Sequence, residues 1–190
     1  MATHATTAGR LEVICGPMFA GKTSELIRRA RLHAAAGNRV TAIAPARDTR
    51  YGPARIASHT GDFLEAAVIG DAAELLRACA DSQAVVIDEA HFFGDGLTTA
   101  IRQLLATGTL VIIAGIERNH RGEPFPPFPA LLCEADEVVK LSSKCARCGG
   151  PAIHSQRLFK SDEAIVVGGA DSYEARCRLC FNPNEPESLC

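Results

Sequence analysis

Gly16-Pro17-Met18-Phe19-Ala20-Gly21-Lys22-Thr23 is the stretch from which the fold can be read. Its spacing, G-x-x-x-x-G-K-T, is that of a phosphate-binding P-loop. The flanks suit that reading. Leu11-Glu12-Val13-Ile14-Cys15 reads as a short buried strand, and Thr23 to Ala36 as a helix stopped by Gly37. Strand, loop and helix in that order aim backbone N–H groups and a helix N-terminus at a polyphosphate. Lys22 would neutralise the outer phosphates, and the Thr23 hydroxyl would hold Mg²⁺. The competing reading, a glycine-rich turn with a chance lysine, does not account for the ordered flanks.

Outward from this loop, strand and helix signals alternate. Residues 39–44, 84–87 (Ala-Val-Val-Ile) and 110–114 (Leu-Val-Ile-Ile-Ala) read as strands. Residues 71–80 and 96–107 read as helices, with Ala72, Leu75, Leu76 and Cys79 on one face of the first and Leu97, Ile101, Leu104 and Leu105 facing inward on the second. Apolar runs without alternation suit a parallel sheet covered on both faces. The pattern indicates an α/β domain over 10–141, after a tail of residues 1–9 and before a small C-terminal unit, 142–190. Glu123 to Pro129 holds four prolines and reads as a rigid loop.

The apolar run ending at Ile87 passes straight into Asp88-Glu89. A strand-terminal Asp in a P-loop protein is placed to hold Mg²⁺. Glu89 then stands at the carboxyl end of the sheet, where it could accept a proton from an attacking hydroxyl or activate water. Asp88-Glu89-Ala90-His91 also spells the DEAH box of helicases. A helicase motor needs two lobes, and this chain has length for one. It also has no basic face or aromatic platform for a strand.

Two C-x-x-C pairs, Cys145/Cys148 and Cys177/Cys180, are separated by 28 residues. Each can grip a metal from one tight turn, and four thiolates fit tetrahedral Zn²⁺ with no open position, hence a structural site. The gap leaves room for a strand pair and a loop. Cys15, Cys79 and Cys133 are expected as small core residues, with Cys190 on a tail. With 20 basic and 22 acidic residues, the net charge of −2 offers no long-range pull toward nucleic acid or an acidic membrane. Met1 to Arg10 lacks the apolar core of a signal peptide, and no apolar run approaches the roughly 20 residues of a membrane span. A cytoplasmic protein is the expectation, with metal or free thiols rather than disulfides.

Taken together, these motifs resemble the type II thymidine kinases. Residues 16–29 (Gly-Pro-Met-Phe-Ala-Gly-Lys-Thr-Ser-Glu-Leu-Ile-Arg-Arg) look like the family's opening. Asp48-Thr49-Arg50-Tyr51 with Ser58-His59, residues 88–93 (Asp-Glu-Ala-His-Phe-Phe), residues 121–125 and Val167-Gly168-Gly169-Ala170-Asp171-Ser172-Tyr173 resemble its later blocks in order. The resemblance implies a P-loop (RecA-like) parallel sheet with helices on both faces, plus a zinc-binding lasso domain. It implies phosphorylation of the 5′-hydroxyl of thymidine, or deoxyuridine, by ATP with Mg²⁺, in a homotetramer. ATP would meet residues 16–23, Asp48, Arg50, Asp88 and His91, and Glu89 would be the general base. Met18, Phe92 and Ile116 would line the base pocket, with His120 at the position of a stacking aromatic. The backbone of Ala164, Ile165, Val166, Val167 and Gly168 would bond the thymine edge, with Tyr173 against sugar or base. The family has Gln where this chain has His91, and Phe where it has His120. Those two positions set a nucleoside or ATP binder of altered specificity beside the working kinase, with a nucleic-acid-linked ATPase as the third alternative.

Overall fold

The structure, a computed structural model, describes residues 8–48, 54–161, 163 and 166–183. Six strands form one sheet: β1 (Arg10–Cys15), β2 (Val40–Pro45), β5 (Ala67–Ile69), β6 (Ala84–Ile87), β7 (Leu110–Gly115) and β8 (Glu137–Lys140). Their order is β5-β2-β6-β7-β1-β8, and every pairing is parallel. β7 lies between the strand that feeds the P-loop and the strand that ends at Ile87. Cys15 pairs with Gly115 and Ile87 with Ile113, so the loops leaving all three strands open on the same carboxyl edge. That edge is where α/β sheets bind ligands.

The unbroken apolar runs are explained by burial on both faces. Leu11, Val13, Val85, Ile87, Val111 and Ile113 face α2 (Ala72–Ala78), α3 (Gly96–Ala106) and α4 (Phe128–Glu134). Ile14, Val86, Ile112 and Ala114 face α1 (Lys22–Ala35) and a hairpin of β3 (Arg55–Ala57) with β4 (Phe63–Glu65). α1 buries Leu26, Ile27 and Ala30, the helical spacing of one stripe. Asp71 caps α2 by accepting from the Glu74 N–H at 2.8 Å.

Some expectations need correction. The proline-rich segment is a loop only to Pro127; α4 starts at Phe128, with Pro129 in the first turn, where its missing N–H costs nothing. Cys133 is exposed rather than a core residue, because α4 turns Phe128 and Leu131 inward instead. Beyond the sheet, β9 (Ser143–Lys144) pairs with β10 (Pro151–Ala152), and β11 (His154–Arg157) with β12 (Tyr173–Arg176), both antiparallel. The last two occupy the expected strand pair between the C-x-x-C turns.

Candidate active site

The phosphate loop owes its shape to two glycines. Gly16 has φ 143°, and a Cβ there would stand 2.4 Å from the Leu141 carbonyl oxygen. Gly21, at φ 82°, is the N-cap of α1 and brings no side chain to that helix end. With no side-chain cap, the first turn of α1 suits an anion. Lys22 is buried, with Nζ donating to the Pro17 carbonyl at 2.7 Å.

Opposite the loop, Thr23 Oγ1 donates to Asp88 Oδ2 at 3.0 Å, and the Glu89 N–H donates to Asp88 Oδ1 at 3.0 Å. Asp88 is buried. Burial first, and then the Glu89 charge, hold its carboxyl well above the ordinary range, against the pull of Thr23, the backbone N–H and Lys22. A divalent cation between Thr23 and Asp88 would relieve that cost, so the donors fit Mg²⁺. Glu89 sits at φ 46°, in the left-handed region that a non-glycine residue occupies at a cost. The strained turn carries it to the cavity wall rather than into the core.

Thr23, Asp88 and Glu89 share one cavity of about 310 Å³ with Met18, Phe19, Ala20, Gly21, Lys22 and Asp48. Its remaining wall includes His91, Phe92, Ile116, His120, Val166, Val167, Gly168 and Tyr173. Gly16 and Pro17, read with the nucleotide-binding set, do not line it. Arg50, Ala164 and Ile165 lie outside the described residues. His91, read with the nucleotide-binding set, is buried between Phe92 and Phe125, at ring distances of 4.3 and 5.2 Å. Its Nδ1 lies 3.6 Å from Glu89 Oε2 and 3.5 Å from the Ile116 amide nitrogen. His120 is held below the usual imidazole range, by burial first and then by Arg157 and Arg121.

Several cavity residues carried no sequence signal. Ser155 and Arg157 lie on β11, whose four residues, all polar, are all buried, a pattern that no hydrophobic period reveals. Arg157 donates to the carbonyls of Ser161 (3.3 Å) and Glu163 (3.0 Å), and Tyr173 Oη donates to the Val166 carbonyl at 2.9 Å. These bonds tie Ser161 and Glu163 to β11 and Val166 to β12. Asn119 and Thr60 also line the cavity, as do Phe125, Ser58 and His59, which stood in the family-like blocks.

The ligand atoms of Cys145, Cys148, Cys177 and Cys180 all lie within 4.8 Å of one another. Four thiolates about 2.3 Å from one zinc ion would be about 3.8 Å apart, so the set fits tetrahedral Zn²⁺. Burial opposes ionisation of Cys145, but N–H groups of Cys148, Cys177 and Arg147 outweigh it and lower the thiol's pKa. The Cys180 N–H lowers Cys177 in the same way. Cys180 is shifted the other way, up to about 12, by its hydrogen bond with Cys177 first, then by burial and Cys148.

The family profile described as Thymidine kinase matches residues 9–181. A thymidine kinase of Chloroflexus aurantiacus is 45% identical over 190 residues, covering 95% of this chain and 98% of its own. One of Rhodothermus sp. is 45% identical over 186 residues, covering 97% and 87%. One of Halobacterium salinarum is 42% identical over 185 residues, covering 92% and 95%.

Proposed function

Because the chain belongs to the thymidine kinase family, we propose that it transfers the γ-phosphoryl group of ATP to the 5′-hydroxyl of thymidine, with Glu89 taking the proton. One observation carries this reading. Glu89 shares a single cavity with Thr23 and Asp88 at the uncapped helix end and with the rings of His91, Phe92, Phe125 and His120. The α1 amides and Lys22 would hold the phosphates. Thr23 and Asp88 would hold Mg²⁺, which supplies charge neutralisation when bound. Glu89 needs only reach the hydroxyl to act, since such transfer is mostly positioning and electrostatics. The ring-lined wall and the backbone of Val166 to Gly168 would receive the base, and closing the cavity over it would exclude competing water. The zinc site would fasten the base of that covering loop. Assembly as a homotetramer and a cytoplasmic setting complete the reading; among the described residues no helix is long and apolar enough to cross a membrane.

The direct experiment is a mass assay of ATP against thymidine, deoxyuridine and the other nucleosides, repeated with Glu89→Gln. Thymidine monophosphate should form, and the variant should lose roughly 10²–10⁴ in kcat with ATP affinity nearly intact. No product from any nucleoside would end the kinase reading. An unchanged kcat would move the base elsewhere.

A further inference from the structure

The tip of the phosphate loop rests on the cysteine-bearing unit. Phe19 has φ 63°, a left-handed conformation that non-glycine residues adopt only when their surroundings impose it. Its side chain packs on the small cluster of Cys145, Ala152 and Ala175, beside Cys177 and Cys180. Two serines grip the same turn. The Met18 N–H donates to Ser155 Oγ at 2.9 Å, and Ser143 Oγ donates to the Phe19 carbonyl at 3.1 Å. Ser155 is itself buried.

The positions of these serines are not arbitrary. Ser143 lies on β9, which runs directly into Cys145. Ser155 pairs in register with Ala175, and β12 then ends at Arg176, immediately before Cys177. Ser143 thus lies two residues before Cys145 along β9, and Ser155 is paired across to Ala175, two residues before Cys177. Joining the two turns through one metal ion would fix the separation of the two strands and, with it, both hydrogen bonds to the loop.

We propose that the cysteine-anchored strands are a buttress for the phosphate loop. Ser143 and Ser155 are positioning residues that hold the Met18-Phe19 turn in its nucleotide-receiving shape, so ATP affinity depends on the zinc unit. This extends the metal's role from fastening the nucleoside loop to shaping the opposite end of the cavity, and it rests on the proposed reading of the loop as an ATP site.

The test is direct titration of a non-hydrolysable ATP analogue with Mg²⁺, and separately of thymidine, into the zinc-loaded parent and the Ser143→Ala/Ser155→Ala variant. Melting temperature is measured alongside. Each lost hydrogen bond should weaken nucleotide binding several-fold, about tenfold or more for the pair, with thymidine affinity changed much less. Ser143→Thr, which keeps the hydroxyl, should bind the analogue as the parent does. Graded removal of zinc from the parent by a chelator should lower analogue affinity in step with metal release, and add little to the loss in the double variant. Equal analogue affinity in parent and double variant overturns the proposal, and so does an equal fall for analogue and thymidine, which would place Ser155 in the nucleoside pocket. A parent that binds no analogue overturns both this proposal and the ATP reading beneath it.

Discussion

Replacing Asp88 with Asn should make the free protein more stable and far less active. Asp88 is buried, and its two oxygens accept from Thr23 Oγ1 and from the Glu89 N–H. An Asn fits the same space. Its oxygen can keep the Glu89 N–H bond, and its NH₂ can donate to the Thr23 hydroxyl, which accepts as readily as it donates. What disappears is a buried negative charge facing a second carboxylate. Burying such an ion costs several kcal/mol, and the two hydrogen bonds and Lys22 return part of it, leaving a gain of about 1–3 kcal/mol. For a chain of this size that is roughly 3–10 °C in Tm.

The pH dependence follows from the same carboxyl. Burial and Glu89 raise its pKa in the folded protein, so the folded state holds the proton more tightly than the unfolded chain does. The parent therefore loses stability as pH rises from the ordinary carboxylate range through the raised one. The variant has no such loss. The gap in Tm should be near zero at about pH 4 and full above neutrality. Calorimetry from pH 4 to 8.5, without nucleotide or metal, reads it, and kcat should fall by roughly 10² or more if Asp88 holds Mg²⁺ as proposed. A variant that melts no higher than the parent at pH 8, or a gap that persists undiminished to pH 4, would refute the argument.

Two further outcomes are expected. Purified protein should carry one Zn²⁺ per chain by elemental analysis, and Cys177→Ser should release it and lower the melting temperature; metal-free protein that melts unchanged would count against the site. Thymidine KM should rise in acid as His120 charges in a covered pocket, but below the pH of an ordinary imidazole, because burial, Arg157 and Arg121 all resist the charge. His120→Phe should flatten that rise with little change in ATP KM, and a profile identical to the parent's would remove His120 from the base.

The elements legible in the chain were those whose signal is local. The strands at 84–87 and 110–114 are unbroken apolar runs because both faces are covered, and α3 shows its stripe within eleven residues. The strands that escaped reading are short or polar. β3, β4 and β5 have three residues each, too few for any period, and β11 is His-Ser-Gln-Arg. β8 alternates half-buried and exposed residues at the sheet edge, where only one pairing remains to define it. Cys133 misled because a lone cysteine carries no direction; the turn of α4 decides which way it points.

By itself the sequence determined the phosphate loop, the Asp88-Glu89 pair, the four-thiolate set and the parallel α/β plan. The loop and the Asp88-Glu89 pair are written in adjacent residues, each C-x-x-C half-site in four, and the sheet plan in local apolar runs. Tertiary structure decided what depends on distant meetings. Ser155 reaches Met18 across 137 positions, and Arg29 reaches Glu137 across 108 in an ion cluster with Glu12 and Glu25. His91 comes to lie 3.6 Å from Glu89 through the left-handed turn at Glu89 and a buried ring packed against Gly115, where a Cβ would stand 3.1 Å from Nδ1. No local period encodes such contacts. They arise when the sheet order sets which loops share an edge, and close packing then leaves each side chain one place to go.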